Sequence, residues 1–289
     1  MLQLFTDTDT DIDPQVAQRY GYCLISMPYS IDGETVYPYE DFDTYDDHAF
    51  YDLLRGGAMP STSAISEERY RQYFEPVFAA GDDILYVHFS RAMTATFDNM
   101  DRAVAALLKQ YPDRHFYAVD TKGITIVSYA IVCEIGEMVA AGKTPQEILD
   151  WAKDEVDHYA VYFFANDLKF FKKSGRVSGL TAMMGTVIGV RPIICMDAEG
   201  KMVSVGTERG RVRALERLIG TVEELGDAVA DHRVIVGHTD APEAAAELET
   251  MLREKFGADL DVTIVPVNPT AGSHCGPDIA GICFHAKHR

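Results

Sequence analysis

Residues 4–13 read LFTDTDTDID: an apolar pair, then, after Thr6, four aspartates at every second position, separated by Thr8, Thr10 and Ile12. Three chemistries compete for this stretch. A calcium loop would take Asp7, Asp9 and Asp11 as oxygen ligands, but it also needs Gly at its sixth position and a bidentate Glu at its twelfth, where this chain has Ile12 and Gln18. A phosphatase of the haloacid-dehalogenase type would end its first strand in Asp-x-Asp-x-Thr, with Asp7 as nucleophile and Asp9 as general acid. Asp11 then stands where Thr or Val is expected. The third reading is a short strand, 2–6, whose C-terminal turn presents hydroxyls and carboxylates at the mouth of an α/β cleft. The rest of the chain has to decide among them.

Bulk properties narrow the field. With 289 residues, 47% of them hydrophobic, the chain can bury one large core or two ordinary ones, and two domains are expected. A net charge of −19 repels both a nucleic-acid backbone and an anionic bilayer surface, so neither is expected as a partner. The five cysteines (23, 133, 195, 275 and 283) are odd in number and form no Cys-x-x-Cys, and the N-terminus starts with a strand rather than a charged and apolar leader. A reduced, cytoplasmic protein is the expectation. No apolar run approaches the roughly 18 residues that would span a bilayer, so no membrane insertion is expected.

Short β-branched or aromatic runs alternate with helical periodicity along the chain. Strands are expected at 2–6, 23–30, 84–89, 115–120, 161–165, 193–196, 201–207, 233–238 and 261–267, and helices at 66–79, 98–110, 125–141, 144–159, 211–225 and 242–256. Thr144, Pro145 and Glu147 spell an N-cap, a first-turn proline and an acidic first turn, while Gly142 closes the helix before them. The acidic, tyrosine-rich stretch 32–47 reads as an exposed irregular segment before a helix. Alternation of this kind means α/β layers, with ligands at the C-terminal ends of strands.

Those strand ends share a chemistry. MPSTSAIS (59–66) places hydroxyls before a helix that Ser63 or Ser66 can cap. YVHFSRAMTATF (86–97) runs from a strand into Ser90 and then into small and hydroxyl residues, and AVDTKGIT (118–125) ends a third strand with Asp120 and Thr121. Further on, DLKFFKKSGRVSGLTAMMGTVIGVRPII (167–194) combines a basic helix end, a Ser-Gly-Arg turn and a helix of small and apolar residues that stops at Gly189.

This last block resembles the DegV family, whose members carry D-L-x-x-L-x-K-G/S-G-R-I followed by G-x-x-L-x-x-K-P-I-L. The other motifs agree in order: TDTDTDI (6–12) with T-D-S-T/N-x-D-L, PSTSAIS (60–66) with P-T-T-S-Q-x-S, FSRAMTATF (89–97) with I-S-S-x-L-S-G-T-Y, VDTKGIT (119–125) with its V-D-S turn, and GSHCGPDIAGICF (272–284) with H-x-G-P-G-x-x-G-x-x-F. The resemblance spans nearly the whole chain. It implies a two-domain α/β fold, here divided as 1–165 and 166–289, with a ligand tunnel between the domains. It also implies a non-enzyme that binds a long-chain fatty acid as its ligand, needs no cofactor, and presents the carboxylate to a separate fatty acid kinase catalytic subunit. The opening stretch then takes the third reading, and the phosphatase using Asp7 and Asp9 is the alternative.

A carboxyl group carried into a low-dielectric cleft loses its water unless donors replace it, and serine and threonine hydroxyls can do so. By position in the matching motifs, the carboxylate contacts are expected at Thr62 and Ser90, with Ser61 and Ser63 beside them. Arg209, in GTERGRVRA (206–214), and His274 match residues near the head group and are expected to stabilise the charge of an acyl phosphate. Asp7, Thr8 and Asp120 are expected to line the cleft. This chain departs from the family pattern at Arg91, Ala64 and Asp278, and carries Thr94-Ala95 in place of Ser-Gly. His274, Cys275, Cys283 and His285 fall within a dozen residues but match no standard zinc spacing, so no metal is expected.

Overall fold

The computed structural model describes residues 1–178 and 189–289, and the apolar helix expected before Gly189 lies outside them. The described residues form α/β layers. The first is a parallel sheet of order β2-β1-β6-β7: β1 (Leu2–Asp7), β2 (Tyr22–Ile25), β6 (Asp83–His88) and β7 (Phe116–Asp120). Between β1 and β2 runs α1 (Pro14–Tyr20), started by Asp13, which caps the Val16 N–H, and by Pro14, and ended by Gly21 at φ 76°. A small antiparallel sheet, β4-β3-β5, flanks this layer, built from β3 (Tyr29–Ile31), β4 (Glu34–Val36) and β5 (Ser61–Thr62). The helix α2 (Asp47–Arg55) lies between β4 and β5.

The single strand expected at 23–30 is thus two. Pro28 cannot donate to a ladder, and the Met27 N–H is taken by Thr8 Oγ1 at 2.9 Å, so the chain turns out of the first sheet and re-enters pairing at Tyr29. The stretch 32–47 correspondingly contains β4 and is less irregular than its composition suggests.

Between β5 and β6 comes α3 (Glu67–Ala79), capped by Ser66; between β6 and β7 comes α4 (Thr96–Gln110). Then α5 (Ile126–Ala140) passes between the two large sheets. Its residues from Ile126 to Cys133 are all buried, which explains why its sequence is apolar around the whole circumference. Next is α6 (Pro145–Glu155), which opens with the full capping box: Thr144 Oγ1 accepts from the Glu147 N–H at 3.3 Å and Glu147 accepts from the Thr144 N–H at 2.8 Å. It stops short of the expected 159 because Val156–His158 tighten into a 3-10 turn and Tyr159 enters a strand.

The second large sheet has seven strands in the order β13-β12-β14-β8-β10-β11-β9: β8 (Tyr159–Phe164), β9 (Val177–Ser178), β10 (Val190–Met196), β11 (Met202–Arg209), β12 (Val234–Thr239), β13 (Val262–Pro266) and β14 (Ile279–His285). The short α7 (Lys169–Ser174) follows β8, α8 (Arg211–Leu225) follows β11, α9 (Pro242–Phe256) follows β12, and α10 (Pro269–Cys275) precedes β14. Although β8 lies before residue 165, it sits between β14 and β10 in this second sheet.

Period-two alternation divides the sheet's faces. On β14, Ala280, Ile282 and Phe284 join the core under α8 and α9, while Ile279 and Cys283 join the core shared with the first sheet. On β12, Val234 and Val236 face the helices and Ile235 faces the first sheet. The cavity described next opens on this shared side.

Candidate functional site

A cavity of about 230 Å³ lies between the C-terminal ends of the first sheet's strands and the inner face of the second sheet. Asp9 follows β1, Phe89 follows β6 and Ile124 follows β7; opposite them stand Val161 and Phe163 of β8 and Ile279 of β14. Two wall positions are glycines, Gly237 and Gly281. A Cβ at Gly281 would lie 2.5 Å from Phe163 Cβ, and one at Gly237 would lie 2.5 Å from Ile126 Cγ2. The strands carry no side chain there because their neighbours already fill the space.

The wall is mostly apolar, and its exposed part is not. Ser63, Ala64, Ala95 and Arg176 are exposed cavity residues, with Thr62, Thr94 and His274 half-buried beside them. The short β5 presents Thr62, whose Oγ1 lies 2.8 Å from His274 Nε2 on α10. Burial first, and then the positive charges of Arg176 and Lys173, push the His274 imidazole down to about 4. It is therefore neutral at physiological pH and acts as a hydrogen-bonding group, not as the cation expected from the sequence. Lys173, at the end of α7, donates to the carbonyls of Met59 (2.5 Å) and Pro60 (3.2 Å), which seams α7 to the segment leading into β5. The mouth therefore offers three hydroxyls, one neutral imidazole and one guanidinium, the donor set that a desolvated carboxylate needs.

Of the residues singled out in the sequence, Thr62, Ser63 and His274 come together here. Ser61 does not line the cavity, because adjacent residues of a strand point to opposite faces. Ser90 lies outside the cavity lining: it is buried, donates to the Gly200 carbonyl at 2.8 Å and accepts from the Ala92 N–H at 3.1 Å, and so locks the β6–α4 turn against the loop between β10 and β11. Thr94, in the same turn, is the hydroxyl that lines the cavity. Arg209 is exposed at the end of β11 and outside the wall; among the described residues the cation in the wall is Arg176 of the Ser-Gly-Arg turn. That residue was marked in the sequence by its motif, though not as a site residue.

Asp7, Thr8 and Asp120, expected to line the cleft, are likewise turned into the structure. Asp7 Oδ2 accepts from Tyr86 Oη (3.0 Å) and the Phe89 N–H (3.2 Å), Thr8 Oγ1 from the Met27 N–H, and Asp120 from the N–H groups of Lys122 (2.7 Å) and Arg91 (3.4 Å). Asp11 Oδ1 accepts from both the N–H (2.9 Å) and Nδ2 (2.7 Å) of Asn268, which caps α10. The TDTDTD stretch is therefore a buried polar junction that ties β1 to β6 and to α10. Burial pushes the Asp7 and Asp11 carboxyls up to about 7. Asp7 is held by Tyr86 and Phe89 outside the cavity lining while Asp9 is within it, so this geometry does not favour the pair as nucleophile and acid of a phosphatase.

Among the described residues, the His, Cys, Asp and Glu side chains whose ligand atoms come within 4.8 Å of one another in a group of three or more are His48, Asp52 and Asp240. Neither the aspartates of the opening stretch nor the His274–His285 group converges in that way.

The departures from the family pattern have local explanations. Arg91 forms a bidentate pair with Asp101 (2.6 and 2.9 Å) and lies over the Phe97 ring, so it faces α4 rather than the cavity. Asp278 stands at φ 64°, where glycine would be unstrained, and its carboxylate pairs with Arg55 at 2.7 Å. Arg55 also binds Asp240, so α2 is fastened to two loops of the second sheet. Ala64 is a cavity residue and simply lacks the side chain that Gln would bring.

Comparison with known proteins places this architecture. A family model described as "Uncharacterised protein, DegV family" matches residues 1–287. A DegV domain-containing protein of Clostridium perfringens is 28% identical over 285 residues, covering 97% of this chain and 96% of that one. A stearic acid-binding protein from Eubacterium ventriosum shares the fold with a TM-score of 0.86 at 19% identity, covering 99% of each chain. A fatty acid binding DegV family protein from Streptococcus agalactiae does so with a TM-score of 0.85 at 21% identity, covering 100% of this chain and 99% of that one.

Proposed function

Because the chain belongs to the DegV family, we propose that it holds one long-chain fatty acid in the cavity between its sheets, and that it presents the carboxylate at the mouth to a separate, ATP-dependent kinase subunit. The observation that carries this reading is the asymmetry of the cavity: apolar walls from β8, β14 and α5, and a mouth of Thr62, Ser63, Thr94, Arg176 and the neutral His274. Burying an alkyl chain is worth about 0.8 kcal/mol per methylene, so a chain of about 16 carbons contributes on the order of 12 kcal/mol gross. The head-group contacts orient the acid more than they hold it. The proposed setting is the cytoplasm, where the unpaired cysteines would stay reduced.

The kinase role follows from what a buried tail and an exposed head allow. A phosphoryl donor has to approach the carboxylate within about 3 to 3.5 Å, and the mouth is the exposed part of the wall. Arg176 is placed to meet the charge that grows as an acyl phosphate forms, and its exposure keeps its effect modest.

In a displacement titration with a fluorescent fatty acid, Thr62→Val should weaken binding by roughly 5- to 150-fold, the cost of about 1 to 3 kcal/mol for a lost hydrogen-bond partner at a half-buried site. Arg176→Ala should lower acyl-phosphate formation by about tenfold in a reconstituted kinase assay trapped as the hydroxamate. Unchanged affinity in the Thr62 variant would remove it from the head-group site. No phosphate transfer with any bacterial fatty acid kinase would leave storage or transport as the role.

A further inference from the structure

Asp9 is the carboxylate of the opening stretch that the junction does not absorb. It lines the cavity, is 5% exposed, and its Oδ1 is buried without a hydrogen-bond partner. A buried carboxyl oxygen in that condition is costly and calls for an explanation. Its position is fixed by its backbone, since its N–H donates to Asp7 Oδ1 at 3.1 Å and its carbonyl accepts from the Thr125 N–H at 2.7 Å.

Thr125 supplies a second, independent oddity at the same place. It also lines the cavity, and it is a β-branched residue held at φ 58°, ψ −132°, a conformation that such residues adopt only under constraint. Its hydroxyl does not cap α5, the helix it precedes. The cavity wall thus carries a carboxyl and a hydroxyl side by side.

The charges around Asp9 all act in one direction. Burial, and then Asp7 and Asp11, raise its carboxyl well above the ordinary range, with no cation among the causes. Neighbouring Cys275 is itself pushed up to about 12, by burial first and then by Asp11 and Asp9. These surroundings favour the protonated form of the carboxyl, which can both donate and accept a hydrogen bond.

We propose that Asp9 and Thr125 form a subsite for a hydroxyl group carried on the acyl chain, so that the preferred ligand is a hydroxylated long-chain fatty acid. A plain methylene chain passing this point leaves the Asp9 carboxyl unpaired. An alcohol oxygen there accepts from the acid O–H and donates to Thr125 Oγ1. Sites built to hydrogen-bond a ligand hydroxyl discriminate strongly against the analogue that lacks it. The inference rests on the fatty-acid reading above and goes beyond it by naming the ligand's second polar group.

The test uses the full chain after lipid removal. It compares octadecanoic acid with a series of hydroxyoctadecanoic acids bearing the hydroxyl at different carbons, each displacing a fluorescent acyl probe. The reading is the ratio of affinities, hydroxylated to plain. At least one isomer should bind about tenfold tighter than octadecanoic acid, the ratio should fall toward one in Asp9→Leu, and part of it should return in Asp9→Asn, which keeps a donor and an acceptor. Melting curves establish that each variant is folded. Binding of octadecanoic acid with no preferred isomer would overturn the subsite and leave the fatty-acid reading standing. A ratio unchanged in Asp9→Leu would also overturn it, because Asp9 would then act on the common carboxyl end. Failure of every acid to bind would overturn both.

Discussion

Replacing Asp11 by asparagine is expected to stabilise the protein by up to roughly 4 kcal/mol at pH 8 and to leave it unchanged near pH 4. The Asp11 carboxyl is raised from 3.8 to about 7 by burial, against the two hydrogen bonds from Asn268 that favour its charged form. A carboxyl raised in the folded state leaves stability intact below its unfolded pKa and erodes it as pH climbs through the folded one, here between about 4 and 7. Each pH unit of that window costs about 1.4 kcal/mol. Asparagine removes the titration and keeps the carbonyl oxygen that accepts from the Asn268 N–H and Nδ2. It also offers an amide where Asp11 Oδ2 has no partner, and it is well suited to the φ of 58° at this position. Urea unfolding of both proteins at pH 4, 6 and 8 measures the effect. Equal stability at all three values would mean that Asp11 is not held neutral by the fold.

The second large effect concerns the cavity. Ala271→Phe should weaken binding of a long-chain fatty acid by on the order of 10²-fold. Ala271 is 2% exposed and lines the cavity from α10, so a phenyl ring there has no direction to take except into the ligand's space or into the core. Displacing about four methylenes from the apolar wall forfeits roughly 3 kcal/mol. Overpacking costs some stability as well, on the order of 1 to 3 kcal/mol, and thermal melting separates a blocked cavity from an unfolded chain. A folded variant that binds the acid as tightly as the parent would show that the ligand lies elsewhere.

How much of this was legible before the structure depends on what each residue has to touch. Helices such as α8 and α9 were readable to the residue because their faces repeat at helical spacing and their ends carry local signals. The α/β alternation and the hydroxyl-bearing strand ends were readable for the same reason. The third reading of the opening stretch correctly placed a strand before the turn, yet the aspartates' partners lie at Tyr86, Phe89 and Asn268, far along the chain, and no local pattern announces them. Ser90 and Thr94 are both hydroxyls in one turn, and which of them lines the cavity is set by the Gly200 carbonyl arriving from the β10–β11 loop, a partner that no local pattern announces. Arg209 and Arg176 present the same difficulty between distant segments. The neutrality of His274 depends on burial and on two cations brought by α7 and the turn after it. Gly237 and Gly281, which keep the cavity walls bare, read in the sequence only as glycines inside strands.

The central claim, a fatty acid held in the cavity between the two sheets, is tested most directly by native mass spectrometry of the protein purified from a bacterial host, followed by organic extraction of the same sample. The account predicts a bound mass of one long-chain fatty acid per chain that survives purification, disappears on denaturation and is recovered in the extract. Spectra showing only the bare polypeptide, with no lipid in the extract, would contradict it.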